Sequence, residues 1–304
     1  MHKSKKIIIS SFYKFVHLSY PLKIKIMLLK TLRKMSVKGT IIIGNEGING
    51  SFSVDEKQLN KTYKIIQDSI PFKLEYKSQK VDFHPFLRLK IKLKEEIVTL
   101  GEKNINPRKN SASYLDSTDW DTLLQTKDSI IIDTRNHYES DVGSFKSSIK
   151  TSTKNFREFP EWISKNKKKL KNKKIGMFCT GGIRCEKASS YLINMGFKNV
   201  FQLKGGILEY LKRTKNSSQL WEGECFVFDN RVTVDSSLKK GTYFQCYACR
   251  SPISEEEVKS NDYQPGVSCP KCINEKSLEQ KERYNERQKQ ILIAKKKKIK
   301  HLGS

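Results

Sequence analysis

Residues 179–189, with the sequence CTGGIRCEKAS, constrain the fold of this chain more than any other stretch. A strand-like run, Lys174–Phe178, precedes them, and a helical pattern begins near Cys185. A strand, a glycine-containing turn and a helix in this order are typical of a parallel α/β domain. The stretch therefore predicts a cysteine in an anion-binding loop at the carboxyl end of a strand.

The composition of this loop favours a thiolate at Cys179. Gly181 and Gly182 allow positive φ, so that consecutive N–H groups can point at the sulfur. The helix N-terminus adds partial positive charge, and Arg184 adds a full charge. The structural alternative is a small buried cysteine in an ordinary turn. We predict that Cys179 is a nucleophile or carries a persulfide, with the loop formed by Thr180, Gly181, Gly182, Ile183, Arg184 and Cys185.

The length of the loop indicates which class of cysteine enzyme it resembles. Cys179 and Arg184 are spaced Cys-x4-Arg. Phosphatases of the tyrosine-specific type have a Cys-x5-Arg loop, which is one residue longer and wide enough for phosphate. The shorter loop resembles that of the rhodanese family, in which a cysteine at this place carries sulfur.

The loop lies within a stretch of alternating strand and helix patterns. We predict a parallel α/β domain over residues 113–215. Asp133 and Arg135 lie at the carboxyl end of a buried strand, Ser129–Asp133, and we interpret them as a pair that braces a loop. The other predicted elements are helices at 116–125, 156–167 (broken at Pro160) and 186–195, a strand at 199–202, and a helix opened by Gly205 and Gly206.

Residues 1–95 predict a different domain, a ferredoxin-like or acylphosphatase-like sandwich with the order β-α-β-β-α-β. The glycines at 44, 47 and 50 form GxxGxxG between two strands, so a hairpin is favoured over a phosphate loop. The polar segment 96–112 is interpreted as a linker. The predicted elements are strands at 7–16, 38–43, 72–76 and 86–93, a short strand after the glycines, and helices at 21–34 and 55–70.

Residues 216–280 predict a small cysteine-rich module after the strand-like stretch 221–235. Two CxxC pairs fit a tetrahedral zinc site, since each pair can present two thiolates from one turn. Four reduced thiols without metal are the alternative. Cys225 stands alone and is interpreted as structural. The ligands would be Cys246, Cys249, Cys269 and Cys272.

The composition bears on partners and on location. The net charge of +27 favours a polyanion such as RNA, although 48 of the 59 basic residues are lysine, a bias that an AT-rich genome also produces. The pattern of residues 278–302 predicts a polar helix with a basic tail. The tail, residues 281–304, is either disordered or laid on RNA, with disorder preferred. Because no long apolar run or signal-peptide core is present, we expect a cytoplasmic protein without membrane contact. The seven cysteines then indicate metal ligation or redox chemistry rather than disulfides.

Several stretches match one family in the same order. They are GTIIIGNEGINGSFS, LKIKLKEEIVTLG, DTRNHYESDVGSF with FREFPEW, CTGGIRCEKAS, and WEGECFVFDNRVTVD with CYACRSPI and GVSCPKC. Over about residues 38–275 the chain resembles the rhodanese-domain tRNA uridine hydroxylases, formerly an uncharacterised protein family.

This resemblance implies an enzyme that hydroxylates C5 of the wobble uridine of certain tRNAs to 5-hydroxyuridine, with molecular oxygen as co-substrate. Cys179 matches the family's essential cysteine. The sequence contains no flavin, haem or nicotinamide motif and identifies no protein partner. A sulfenic acid at Cys179 can in principle condense with Cys185, and the alternative is that Cys185 is simply the first helical residue.

Two rival functions fit the same residues. A sulfurtransferase would hold a persulfide on Cys179 and need neither tRNA nor oxygen. A non-catalytic RNA-binding or sulfur-carrier module would bind tRNA without modifying any base.

Overall fold

The computed structural model describes residues 6–214 and 220–299. The chain divides into two compact units between Thr99 and Leu100. This division falls within the predicted linker 96–112. The first unit has an antiparallel sheet with one added parallel strand, and the second combines a parallel sheet with the cysteine-rich module.

The first unit has the strand order β4-β1-β3-β2-β5. The first four strands are antiparallel neighbours in the order expected of a ferredoxin-like fold, and β5 is added parallel to β2. Ile24, Leu28 and Leu32 of α1 and Ile66 of α2 pack in one core with apolar side chains of the sheet. The elements are β1 (Ile7–Phe15), α1 (Pro21–Leu32), β2 (Lys38–Gly44), β3 (Gly47–Asp55), a 3-10 turn (Glu56–Gln58), α2 (Leu59–Asp68), β4 (Lys77–Val81) and β5 (Leu89–Leu93).

The glycine-rich stretch is a hairpin, as predicted. Gly44 pairs with Gly47 at the end of the antiparallel ladder between β2 and β3. The Glu46 carboxylate accepts a hydrogen bond from the Ile97 N–H at 2.6 Å, and the Asn49 amide donates to the Ile97 carbonyl at 3.1 Å. Glu46 and Asn49 therefore fix the backbone of Ile97, near the end of the first unit.

The prediction of a strand at residues 72–76 is wrong, because β4 begins only at Lys77. The Gln67 side chain donates to the Phe72 carbonyl at 2.6 Å and accepts from the Leu74 N–H at 3.2 Å. One side chain thus satisfies backbone groups that a neighbouring strand would otherwise pair. Leu74 is buried in the core without being part of the sheet.

The second unit contains a five-stranded sheet, β6-β11-β10-β7-β9, in which every pair is parallel. This confirms the predicted parallel α/β architecture. The elements are β6 (Ser113–Leu115), α3 (Ser117–Gln125), β7 (Ser129–Asp133), α4 (His137–Ser140), β8 (Gly143–Phe145), β9 (Ser148–Lys150), a 3-10 turn (Phe156–Glu158), α5 (Phe159–Leu170), β10 (Lys174–Phe178), α6 (Ile183–Asn194), β11 (Val200–Leu203) and α7 (Gly206–Thr214).

Three helix boundaries differ from the prediction. Pro160 lies in the first turn of α5 and starts that helix instead of breaking it, because a first-turn proline loses no intrahelical hydrogen bond. Helix α3 begins at Ser117, one residue after the predicted start, because Asp116 is its N-cap, whose carboxylate accepts from the N–H groups of Thr118 and Asp119. Helix α6 begins at Ile183, two residues before Cys185.

The remainder of the unit consists of short strands around the cysteine pairs. Trp221–Gly223 pairs with β8, and Cys225–Phe226 forms a hairpin with Thr233–Val234. These elements are β12 (Trp221–Gly223), β13 (Cys225–Phe226), β14 (Thr233–Val234), β15 (Phe244–Gln245), β16 (Pro252–Ile253), α8 (Glu255–Lys259) and α9 (Leu278–Lys296). Among the described helices, none has the length and apolar character that crossing a bilayer requires.

The predicted polar helix is present as α9, and the preference for disorder in the basic tail is wrong for the residues that α9 contains. Ser277 and Gln280 form a capping box at its start. The Arg287 guanidinium donates to the carbonyls of Tyr247 and Gly266, at 3.0 and 2.8 Å. These contacts order the helix against the cysteine-rich module. The last part of the predicted tail, residues 300–304, lies outside the described residues.

Candidate active site and metal site

Cys179 lies directly after β10, at the carboxyl end of the central strand of the parallel sheet. The loop that follows is short, since α6 begins at Ile183. Gly182 is the N-cap of α6 with a φ of 104°, and its N–H donates to the Cys179 Sγ at 3.1 Å. Positive φ occurs at Gly182 and not at Gly181, so only one of the two predicted glycines supplies it.

The surroundings of Cys179 stabilise its thiolate. Burial alone raises the pKa of the thiol, but the hydrogen bond from the Cys185 thiol, the charge of Arg184 and the N–H groups of Cys185 and Gly182 outweigh it. Together they lower the pKa of Cys179 to about 5. Cys179 is therefore ionised at neutral pH, as nucleophilic or sulfur-carrying chemistry requires.

Cys185 lies in the first turn of α6, fully buried, and has the opposite protonation state. Burial, the hydrogen bond to Cys179 and the charge of Cys179 raise its pKa well above the ordinary value. Its sulfur also lies 3.7 Å from the Thr134 Oγ1. Cys185 is thus a neutral thiol that donates to the Cys179 thiolate.

Arg184 does not face solvent but is 7% exposed and paired with Glu139. Its two terminal nitrogens donate to the two carboxylate oxygens of Glu139, each at 2.7 Å. Burial alone would lower the pKa of the guanidinium, but the adjacent Glu139 raises the pKa by more than burial lowers it. Arg184 therefore stays charged. Sequence reasoning missed Glu139. Its signal was the capping-box spacing of Asn136 and Glu139 at the start of α4.

The N-terminus of α7 supports the loop from a second side. The N–H groups of Ile207 and Leu208 donate to the carbonyls of Cys179 and Thr180, at 3.0 and 3.2 Å. Gly206, with a φ of 70°, is so close that an added Cβ would lie 2.8 Å from the Thr180 oxygen. The sequence predicted a helix opened by this glycine but not its contact with the loop.

Two loop positions indicate where a ligand can approach. A Cβ built on Gly181 would meet no atom within 4 Å, so the space beside this residue is open. The Thr180 hydroxyl is buried and has no hydrogen-bond partner among the described residues. A buried hydroxyl without a partner costs roughly 1–3 kcal/mol, and a bound substrate or water would remove that cost.

Asp133 and Arg135 form a fully buried ion pair at the end of β7. Arg135 donates to both carboxylate oxygens of Asp133 and to the carbonyls of Glu139 and Gly143. Burial lowers the pKa of Arg135, but Asp133 raises it, and the net shift is upward. The pair therefore connects β7, α4 and β8, so that Glu139, the partner of Arg184, has a fixed position.

Cys225 differs from the loop cysteines in its surroundings. It is fully buried in β13, and burial raises the pKa of its thiol to about 12 despite the charge of Arg135. Its sulfur lies 3.7 Å from the Phe226 carbonyl. Cys225 therefore stays neutral at physiological pH.

The four cysteines of the two CxxC turns converge and can hold a metal ion such as zinc. Their sulfurs all lie within 4.8 Å of one another. The pairs Cys246–Cys272, Cys249–Cys269 and Cys269–Cys272 are separated by 4.0, 3.8 and 3.7 Å. Tetrahedral zinc, with Zn–S bonds of about 2.3 Å, requires sulfurs roughly 3.8 Å apart, so the donor set fits in type, number and spacing.

Two family models match the chain. Residues 7–97 match the model described as the UPF0176 acylphosphatase like domain, and residues 117–213 match the rhodanese-like domain. The first match covers the antiparallel unit, and the second covers four of the five strands of the parallel sheet together with the Cys179 loop; β6 lies just before it.

Solved structures similar to this chain include three rhodanese proteins. The rhodanese-like domain of an Anabaena protein is 18% identical, with 36% of this chain and 78% of that chain covered and a TM-score of 0.30. A rhodanese-related protein of Thermoplasma volcanium is 24% identical, with 33% and 92% covered and a TM-score of 0.27. A rhodanese-like domain protein of Staphylococcus aureus is 22% identical, with 32% and 90% covered and a TM-score of 0.27.

Proposed function

The chain belongs to the rhodanese-domain UPF0176 family, and from this premise we propose that it hydroxylates C5 of the wobble uridine of tRNA. The proposal follows the resemblance of its sequence to the tRNA uridine hydroxylases of that family. Cys179 is the catalytic residue, tRNA is the macromolecular substrate, and molecular oxygen is the oxidant.

The observation that carries the proposal is the set of groups around the Cys179 sulfur, which includes the Gly182 N–H at 3.1 Å and favours the thiolate. A thiolate with a pKa of about 5 is fully formed at neutral pH and is a strong nucleophile toward an electron-poor ring carbon. C6 of uracil is such a carbon, because it is conjugated with the C4 carbonyl. The space beside Gly181, two residues after Cys179, is open, and we assign the approach of the flat ring to it.

The proposed reaction balances with a thiol reductant. The Cys179 sulfur forms a bond to C6, and the electron pair of the C5–C6 bond moves into an enolate. Two electrons from a small-molecule thiol pair reduce O₂ to the peroxide level. The enolate takes one oxygen at C5 as the O–O bond breaks, and the other leaves as water. Loss of the C5 proton then expels the Cys179 thiolate, so uridine, O₂ and two thiols give 5-hydroxyuridine, water and a disulfide.

The other site residues support this chemistry without taking part in bond changes. Cys185 and the Gly182 N–H hold the leaving thiolate after each turnover. The Thr180 hydroxyl is a buried loop donor without a hydrogen-bond partner among the described residues, and we assign it to a carbonyl oxygen of the uracil. A zinc ion at Cys246, Cys249, Cys269 and Cys272 would stabilise the small module, because a closed four-cysteine set leaves no position for substrate.

The rival supported by the same geometry is sulfur transfer. A rhodanese-like domain with a cysteine of depressed pKa is equally suited to hold a persulfide on Cys179. In that reaction sulfur would pass from a donor to Cys179 and on to a thiol or cyanide, and neither tRNA nor oxygen would be consumed.

The test is mass spectrometry of tRNA nucleosides from a strain in which the gene is deleted. We expect 5-hydroxyuridine and its derivatives to disappear and to return when the wild-type gene is supplied. Cys179→Ser is expected not to restore them, since serine is not ionised at neutral pH. Cys225→Ala is the matched control that removes a buried cysteine outside the loop, and it is expected to restore them.

The outcomes separate the rivals. Unchanged hydroxyuridine levels in the deletion strain would reject the hydroxylase. In that case, cyanide-dependent release of thiocyanate by the wild type and not by Cys179→Ser would identify a sulfurtransferase. If neither activity depends on Cys179 but tRNA still binds, the chain is a non-catalytic RNA-binding module.

A further inference from the structure

The hairpin that follows the parallel sheet places one exposed aromatic ring beside the active-site loop. Phe228 lies in the turn between β13 and β14 and is 63% exposed. Its neighbours Phe226, Val227, Arg231 and Val232 are all buried. A single exposed apolar side chain needs no explanation in itself, but the position of this one does.

The turn that carries Phe228 is held by its own backbone hydrogen bonds and by a buried ion pair. The Val227 N–H donates to the Val232 carbonyl at 2.9 Å, and the Val232 N–H donates to the Asp229 carbonyl. Arg231 donates to both carboxylate oxygens of Asp229, and this ion pair is almost fully buried. The exposed ring therefore has a fixed backbone anchor.

The same ring is tied to the residues that hold Arg184. Phe228 packs edge-on against Phe226 at 5.2 Å, and Phe226 packs edge-on against Tyr138 of α4 at 5.3 Å. Tyr138 precedes Glu139, the partner of Arg184. The Arg184 guanidinium in turn lies 5.9 Å from the centre of the Phe228 ring. The exposed ring thus lies beside the guanidinium of Arg184, the loop residue whose charge stabilises the Cys179 thiolate.

We infer that Phe228 is the stacking partner of the pyrimidine presented to Cys179, an inference that rests on the proposed function. An enzyme that acts on a base must remove it from its neighbours in the RNA and replace the lost stacking. An aromatic side chain does so for any base, because every base has a π face. Phe228 has the exposed ring, the fixed anchor and the place next to the loop that this role needs.

The first experiment measures steady-state kinetics on an anticodon stem-loop RNA with uridine at the wobble position. Phe228→Ala is expected to raise KM roughly 5- to 150-fold with little change in kcat, because stacking holds the bound base before and during the reaction. Phe228→Tyr and Phe228→Trp are expected to keep the wild-type KM. Phe228→Leu, which is apolar but not aromatic, is expected to behave like Phe228→Ala.

Two controls separate stacking from a structural role. The ultraviolet titration of the Cys179 thiolate is expected to be the same in Phe228→Ala and wild type; a shifted titration would mean that Phe228 acts through Arg184, and would overturn the inference. Phe244→Ala removes a second exposed phenylalanine of the same unit, which lies in the short strand β15. This variant is expected to leave KM unchanged.

A second experiment does not depend on hydroxylation. The fluorescence of Phe228→Trp is expected to be quenched by the stem-loop with uridine, and clearly less by the same RNA with an abasic nucleotide there. Equal quenching by the two RNAs would overturn the inference. If wild type forms no 5-hydroxyuridine but quenching still requires the base, the proposed function fails and the stacking role stands. If wild type is active and Phe228→Ala is equally active, the stacking role fails and the proposed function stands.

Discussion

At the scale of single residues, two buried cysteines of this chain have pKa values shifted in opposite directions. Cys179 has a pKa lowered to about 5, whereas Cys225, equally buried, has one raised to about 12. The difference lies in the donors around each sulfur. Cys179 accepts from the Gly182 N–H and the Cys185 thiol, while the Cys225 sulfur faces an acceptor, the Phe226 carbonyl. Hydrogen bonding therefore decides the charge that burial alone would suppress.

The first prediction concerns the titration of Cys179. Thiolate absorbs in the ultraviolet, so the absorbance difference between wild type and Cys179→Ser reports its ionisation without access of any reagent. We expect half of the signal to be lost as pH falls to about 5, far below the ordinary thiol pKa of about 8.5. Cys185→Ala is expected to move the midpoint upward, because it removes a hydrogen bond to the thiolate. A midpoint above about 8 in wild type would contradict the description of the loop.

The sequence predicted the central cysteine but not all of its support. Cys179, Arg184 and the helix after them lie within a few residues, so local pattern was sufficient to place them. Glu139 and Gly206 reach the loop across 45 and 27 positions of the chain, through the order of strands in the sheet. Spacing along a single sequence does not contain that order, and neither contact was predictable from it.

At the scale of elements, polar side chains decide where regular structure begins and ends. Residues 72–76 have the alternation of a strand, but Gln67 takes up their backbone groups and prevents pairing. In α9 the opposite occurs, because a capping box and the hydrogen bonds of Arg287 order a polar helix for which disorder was preferred. The parallel strands around Cys179 were predictable, since their continuous apolar runs leave little room for such competition.

The cysteine-rich module gives a prediction about metal content. The purified protein is expected to contain about one zinc per chain, because the four sulfurs fit one tetrahedral ion. Cys246→Ser is expected to lose the metal, as one ligand is removed and its turn is left with a single thiolate. Elemental analysis measures the content, and Cys225→Ala is the control that should keep it. Wild-type protein without bound zinc after expression in zinc-containing medium would contradict the assignment.

Helix α9 gives a separate prediction, because Arg287 joins it to both cysteine turns. Its guanidinium donates hydrogen bonds to the carbonyl of Tyr247, inside the first CxxC pair, and to the carbonyl of Gly266, just before the second pair. Arg287→Ala is expected to accelerate amide hydrogen exchange throughout α9, since each lost hydrogen bond to a charged group contributes roughly 1.5–3 kcal/mol. Arg283→Ala removes an exposed arginine of the same helix and is expected to leave exchange unchanged. Equal exchange in the two variants would show that other contacts hold α9.

At the scale of the whole molecule, the excess of 59 basic over 32 acidic side chains is the strongest feature that no single site explains. The proposed substrate is a polyanion, and cations displaced from its phosphates on binding favour association with a basic protein. An AT-rich genome would produce the same lysine content even if the protein did not bind RNA. The two explanations differ in how binding responds to salt.

We predict steeply salt-dependent binding of tRNA. The affinity of the wild-type protein is expected to fall roughly 10³-fold between about 50 and 200 mM salt, as for proteins that contact six or more phosphates. Cys179→Ser is expected to show the same slope, because it changes the reactive group and not the basic surface. Fluorescence anisotropy with labelled tRNA measures both. A fall of less than about tenfold would mean that the charge of +27 is not used for tRNA.

The central claim is that Cys179 enables insertion of oxygen from O₂ into uridine. The direct measurement is mass spectrometry of nucleosides from unmodified tRNA incubated with purified protein, a thiol reductant and heavy-isotope oxygen gas. The account predicts 5-hydroxyuridine that contains the heavy isotope with wild type, and none with Cys179→Ser. Formation of labelled product by Cys179→Ser, or wild-type product with oxygen derived from water, would contradict it.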